Sequence, residues 1–139
     1  MLAVDLAQPF DRVGVDAVAA VDALGFIAGT AVAAELGVGV VALRKGGKLP
    51  TEVERETFVD YSGQEKALEV RPSLIQPGMR LLIVDEWIET GAQVNAAARL
   101  IERLGGLVAG IATINLDRNA ATDALCAQYK VHALWIDGV

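Results

Sequence analysis

Four consecutive apolar residues, Leu81-Leu82-Ile83-Val84, run into two adjacent carboxylates, Asp85-Glu86, and a few residues later into Thr90-Gly91. A helical period follows: Val94, Ala97, Ala98, Ile101 and Leu104 fall on one face of a helix from about Ala92 to Leu104. An apolar run without polar alternation is a strand buried on both faces, which requires a parallel sheet covered by helices. The rest of the chain repeats the alternation. Strands are expected at Ala17–Val21, Val38–Leu43, Arg80–Val84, Leu107–Leu116 and Val131–Ile136, with helices at Ile27–Leu36 and Ala120–Tyr129. Strands separated by helices imply right-handed crossovers. Residues 44–56 read as a loop around Gly46, Gly47 and Pro50. Thr57–Tyr61 and Glu65–Arg71 alternate about Ser62-Gly63, a hairpin inserted into this plan.

Composition narrows the classes. With 139 residues the chain makes one domain, 1–139, and no stretch reads as a linker. Hydrophobic residues are 53 %, which excludes disorder. The uncharged runs Ala23–Ala34 and Leu104–Leu116 are too short for a membrane helix of ~20 residues. Asp5 interrupts an N-terminus that has no basic region, against a signal peptide. A formal net charge of −6 argues against a nucleic-acid surface. One Cys allows no internal disulfide and points to a reducing cytoplasm. With a single His beside it, a zinc site of His/Cys type is not expected.

Ligands of parallel sheets bind beyond the carboxyl ends of the strands, so function is expected after Val21, Leu43 and Val84. Backbone amides around Thr90-Gly91, added to a helix N-terminus, make an anion site. Gly91 lets the backbone approach a phosphate. The paired acids can accept hydrogen bonds from two neighbouring hydroxyls. A phosphate site and a diol site this close together describe a ribose 5-phosphate. The plainer alternatives are a solvated strand end for Asp85-Glu86 and an ordinary capped turn for Thr90-Gly91.

The run from Leu81 to Gln93 resembles the PRPP-binding motif of type I phosphoribosyltransferases, most closely the adenine branch. Gly25-Phe26-Ile27-Ala28-Gly29, Glu35-Leu36-Gly37-Val38-Gly39 and Arg44-Lys45-Gly46-Gly47-Lys48-Leu49-Pro50 are similar to further family segments. So are Tyr61 and Leu68-Glu69-Val70. The resemblance covers about Ala17 to Ile136. It implies an α/β phosphoribosyltransferase-like fold with a parallel sheet, flanking helices and a hairpin flap. It implies a transferase that moves a phosphoribosyl group from PRPP to a purine base and releases pyrophosphate. Asp85 and Glu86 would hold the ribose hydroxyls, directly or through Mg²⁺ bound by way of ribose or water. Glu89, Thr90, Gly91, Ala92 and Gln93 would wrap the 5-phosphate. Arg44, Lys45 and Lys48 would face PRPP, and Tyr61 would belong to a loop closing over the reacting carbon. Glu89 is a candidate base near the purine. The partners implied are PRPP and a purine base or nucleoside monophosphate, in a cytoplasmic homodimer.

Three departures from the family pattern stand out. Leu24 occupies the place of an arginine that contacts pyrophosphate. Glu89 and Gln93 replace small or hydroxyl residues of the phosphate loop. Only 21 residues precede Asp22, so the base-binding hood is expected to be shortened or absent. These departures keep open a second reading, a non-catalytic nucleotide or phosphosugar sensor. Trp87 reads as packing, His132 and Cys126 as structural, and Glu52, Glu54 and Glu56 as a solvated face.

Overall fold

The computed structural model describes residues 1–47 and 52–138. Its elements in chain order are α1 (Leu2–Ala7), a 3₁₀ turn, β1 (Ala17–Val21), α2 (Leu24–Leu36), β2 (Gly39–Lys45) and the hairpin β3 (Glu54–Val59) and β4 (Glu65–Val70). After a second 3₁₀ turn come β5 (Arg80–Ile88), α3 (Ala92–Arg103), β6 (Leu107–Asp117), α4 (Ala120–Gln128) and β7 (Val131–Asp137). Among the described residues the sheet has seven strands in the order β3-β4-β2-β1-β5-β6-β7. From β2 to β7 neighbouring strands are parallel. Among the described residues the hairpin joins the β2 edge antiparallel through Arg44↔Glu69 and Lys45↔Leu68, and the Gly46 amide donates to the Ala67 carbonyl at 2.9 Å. It is therefore a flap held by a short seam, as the insertion reading expects.

The apolar runs are explained by burial on both faces. Ala17, Ala19 and Val21 of β1 and Leu81 and Ile83 of β5 pack with α3 and the flap's Phe58 and Leu68. Their alternates Val18, Ala20, Leu82 and Val84 pack with α2 and the N-terminal segment. The small residues of α2 serve close approach. A Cβ on Gly29 would lie 2.6 Å from the Ala20 Cβ, so only Gly lets α2 lie directly on β1. Phe10, fully covered, fills the space over Gly110 in the same layer.

Several boundaries differ from expectation. The second helix begins at Leu24 rather than Ile27. Its apolar residues face both core and solvent, so periodicity did not mark its first turn. The central strand continues to Ile88. Asp85 and Glu86 thus lie inside β5 and not at its end, because β6 pairs with it through Ile88↔Leu116. Residues 1–16, for which no helix or strand was expected, carry α1 and cover one face of the sheet through Leu6, Ala7 and Phe10. Glu54 and Glu56 are not a solvated face. Glu56 lies 3.2 Å from the Arg99 Nε and pairs with Arg103, and Glu54 lies 3.5 Å from Arg103. Arg99 and Arg103 also donate to the Thr57 and Arg55 carbonyls, at 3.3 and 2.9 Å. The polar face of α3 therefore clamps the flap.

Candidate functional site

The carboxyl ends of β1, β2 and β5, the N-terminus of α3 and the inner side of the flap enclose a cleft of about 370 Å³. Each wall follows from local chemistry. At the end of β1 the Asp22 side chain accepts the Lys45 amide at 3.1 Å, while the Asp22 amide donates to the Leu43 carbonyl at 3.0 Å. That exchange fixes the end of β2 and sets the Lys45 side chain in the cleft. Arg44 does not line the cleft; its Nε lies 3.9 Å from Asp22. Lys48 falls outside the described residues. Leu24, more than half exposed, lies on the same rim as Lys45, where the resemblance puts pyrophosphate.

The next turn of chain is held from below. Gly47 donates its amide to Glu69 at 3.0 Å, and the Arg55 Nε donates to the same carboxylate at 2.8 Å. Glu69 is fully buried, and the Arg55 guanidinium holds its carboxyl below the usual range. Two sides of the loop that links β2 to the flap thus meet on one carboxylate.

β5 contributes the acids. Asp85 is 7 % exposed. Its Oδ1 accepts the Glu86 amide at 2.8 Å, and its Oδ2 lies 3.5 Å from the Gln93 side-chain amide. Burial pushes its carboxyl up to about 7, with the neighbouring Glu86 charge adding to the rise; the Glu86 amide and Lys45 pull against it. A solvated strand end therefore does not describe Asp85; its neighbour Glu86 is half-buried. Glu86 keeps its backbone in register through its carbonyl, which accepts the Thr113 hydroxyl at 3.0 Å. Trp87 is half exposed in the cleft wall, and its indole N–H donates to Asp117 at 3.0 Å.

The phosphate-loop candidates Glu89, Thr90, Gly91, Ala92 and Gln93 line one end of the cleft together. Gly91 has φ +82°, a left-handed conformation that a side chain resists, and it caps α3. The Thr90 hydroxyl accepts the Ala92 amide at 3.3 Å. The first turn of a helix leaves further amides without intrahelical partners, directed outward from its N-terminus. The Glu89 carbonyl is held from the next loop by the Asn119 side-chain amide at 2.8 Å. Asn119 also forms a reciprocal cap on α4 with Thr122. Sequence reading placed the α4 helix but missed this second use of its cap.

The flap closes the far side. Tyr61 stands at its tip, 70 % exposed, and lines the cleft. Asp60 and Lys66, neither singled out by sequence, also line it, with the Lys66 Nζ 2.8 Å from Asp60 Oδ2. In all, five carboxylates line the cleft, those of Asp22, Asp60, Asp85, Glu86 and Glu89, against the ammonium groups of Lys45 and Lys66 among the described residues.

These acids are hard oxygen donors of the kind Mg²⁺ accepts. No three metal-ligating side chains converge among the described residues. The set therefore fits an ion held by one or two carboxylates and completed by a ligand's oxygens, which is the usual manner of Mg²⁺.

A family model for the phosphoribosyl transferase domain matches residues 4–135. An adenine phosphoribosyltransferase of Clavibacter sepedonicus is 46 % identical over 120 residues, which are 86 % of this chain and 62 % of that protein. One from Clostridium perfringens is 42 % identical over 130 residues, 93 % of this chain and 74 % of that one. The crystal structure of adenine phosphoribosyltransferase from Rhodothermus marinus superposes with a TM-score of 0.89 at 33 % identity, covering 97 % of this chain and 77 % of that chain. The chain thus spans about three-fifths of the length of the first of these relatives. A match that runs through every wall of the cleft, from Asp22 to Asn119, establishes that the chain belongs to the phosphoribosyl transferase family.

Proposed function

We propose that the chain is a purine phosphoribosyltransferase of the adenine type. A purine nitrogen would attack C1 of PRPP, the bond from C1 to the pyrophosphate oxygen would break, and the base would lose its proton. The observation that carries this reading is one juxtaposition: Asp85 and Glu86 share a cleft with the Gly91 turn at the N-terminus of α3. The turn's amides suit a 5-phosphate, and the acids one strand-end away suit the ribose hydroxyls. Lys45, on the rim with Leu24, suits the pyrophosphate end. Tyr61 on the flap excludes water from the reacting carbon, which develops positive charge as the bond breaks. Glu89 stands beside the phosphate turn, where its carboxylate can take the proton from the base while its carbonyl stays bound to Asn119. Asp85 and Glu86 would hold the ribose hydroxyls directly or through Mg²⁺ bound by way of ribose or water; the ion would supply positive charge to offset the pyrophosphate's.

We further infer a homodimer. Ile27, Ala31 and Ala34 form an exposed apolar stripe along α2 that a second copy would cover. The cytoplasm suits a chain with a single free, exposed Cys126 and, among the described residues, no helix long and apolar enough to cross a membrane.

Turnover of PRPP with adenine, hypoxanthine and guanine in the presence of Mg²⁺, read as pyrophosphate release, tests the reading. Release with adenine supports it. Binding of AMP without release for any base would favour the sensor reading instead, which Leu24 alone among the cleft residues supports.

A further inference from the structure

A pyrophosphate-bearing ligand entering this cleft meets five carboxylates, and the rim residue best placed to counter it, Leu24, has no charge and no donor. Among the described residues two ammonium groups in the cleft wall can counter that charge, Lys45 on the rim and Lys66 on the flap. Lys66 lies on β4 directly across from Phe58. Cross-strand partners project to the same face of a hairpin. Phe58 is buried in the core, so that face is turned toward the body of the protein, and Lys66 is turned with it. Its ammonium group contacts Asp60 Oδ2 at 2.8 Å.

Asp60 is not dependent on that contact. Its Oδ1 accepts the Ser62 amide at 2.9 Å, the Ser62 hydroxyl at 2.6 Å and the Gln64 amide at 3.1 Å. The turn is therefore held without the lysine. A solvent-accessible ion pair of this kind is worth little. A lysine on a flexible four-carbon stem can exchange one oxygen for another at small cost.

We propose that Lys66 is a pyrophosphate-binding residue carried by the flap, whose ammonium group exchanges Asp60 for a ligand's pyrophosphate oxygens. The inference rests on the reading of the cleft as a PRPP site. It places a cation on the flap, across the cleft from the rim where position 24 lacks one. It also distinguishes ligands: a nucleoside monophosphate has no group at that end and does not call on Lys66.

Titration calorimetry with PRPP, inorganic pyrophosphate and AMP at fixed Mg²⁺ tests this on the wild-type chain and on Lys66→Gln, Lys66→Arg and Asp60→Asn. Lys66→Gln is expected to weaken PRPP and pyrophosphate about tenfold and to flatten their salt dependence, with AMP held within about twofold. Lys66→Arg should restore most of the loss. Asp60→Asn, which keeps an Oδ1 acceptor for the turn and removes the competitor, should leave PRPP binding as tight or tighter. Unchanged PRPP affinity in Lys66→Gln, or an equal loss for AMP, would overturn the proposal while leaving the PRPP reading intact. A wild-type chain that binds no PRPP would overturn both.

Discussion

Replacing Asp85 by Asn should stabilise the protein and weaken its ligand, and pH should separate the two effects. Asp85 is 7 % exposed, and burial raises its carboxyl from 3.8 to about 7. A group whose folded pKa lies above its unfolded one adds stability that is full below pH 3.8 and is lost as pH rises through about 7. The gap corresponds to about 4 kcal/mol at 1.36 kcal/mol per pH unit. Asn keeps the size and the acceptor for the Glu86 amide, and Gln93 can turn its carbonyl toward the new amide. The variant carries no charge to bury. At pH 8 it should therefore exceed wild type by up to about 4 kcal/mol, a rise in Tm on the order of 10 °C. At pH 5 the buried carboxyl is protonated but the unfolded one is already ionised, so the gap should shrink to about 1.6 kcal/mol and close only below pH 3.8. Ligand binding should run the other way. A ribose hydroxyl donating to a carboxylate is worth about 1.5–3 kcal/mol, so above pH 7 Asp85→Asn should bind AMP weaker by that amount. Wild-type affinity should climb with pH up to about 7 and then level, while the variant stays flat. Thermal scans and AMP titrations at pH 5, 6, 7 and 8 read both curves. Equal stability of the two proteins across that range would refute the argument from burial. A wild-type affinity indifferent to pH would refute the role at the ribose.

Gly91→Val puts a β-branched residue at φ +82°, where the nearest neighbour of the new Cβ, the Leu125 Cδ2, is still 3.5 Å away. Strain rather than clash should cost about 1–3 kcal/mol, and calorimetry should find AMP binding abolished in a chain that circular dichroism shows folded. Leu24→Arg adds a forked donor on the rim of the cleft; it should tighten PRPP by about 1–3 kcal/mol and leave AMP little changed, and equal PRPP affinity would show that position 24 does not face the pyrophosphate. Arg55→Ala leaves the buried Glu69, among the described residues, with the Gly47 amide alone, and urea unfolding at pH 7 should show a loss of about 2–3 kcal/mol. In wild type the depressed Glu69 carboxyl adds stability above about pH 4.5 and loses it as pH falls further; in Arg55→Ala, with burial unopposed by the guanidinium, acidification should recover stability instead.

The layered fold was legible because two-sided burial writes uninterrupted apolar runs, and Leu81–Val84 and Ala17–Val21 are such runs. The Gly91 turn was legible because glycine before an amphipathic helix is a local signal. Pairing across the chain left weaker marks. Glu54 and Glu56 look solvated in a row of alternating charges, and only the position of α3 brings Arg99 and Arg103 over them. Lys66 looks like any hairpin lysine until the Phe58 pairing shows which way its face turns. Asn119 carries an ordinary capping signature, but its bond to Glu89 spans two different loops. The N-terminal helix is six residues long, too short for a period to declare itself.

Asp85 and Glu86 mark the limit of that legibility most clearly, because in sequence they are equivalent. The strand's alternation separates them: Asp85 falls among buried neighbours and Glu86 toward the open side. Two adjacent ionised carboxylates in one strand would repel each other, and burial of the first resolves the conflict by favouring its protonation. Near neutral pH Asp85 is therefore a carboxyl close to its own midpoint. Bound hydroxyls and a nearby cation both favour the ionised form of Asp85, so ligand entry should drive its proton out. Below pH 7 that expulsion costs affinity. The Glu86 amide and Lys45 offset the burial in part; a diol or a metal ion offsets it further, so a ligand lacking both is selected against.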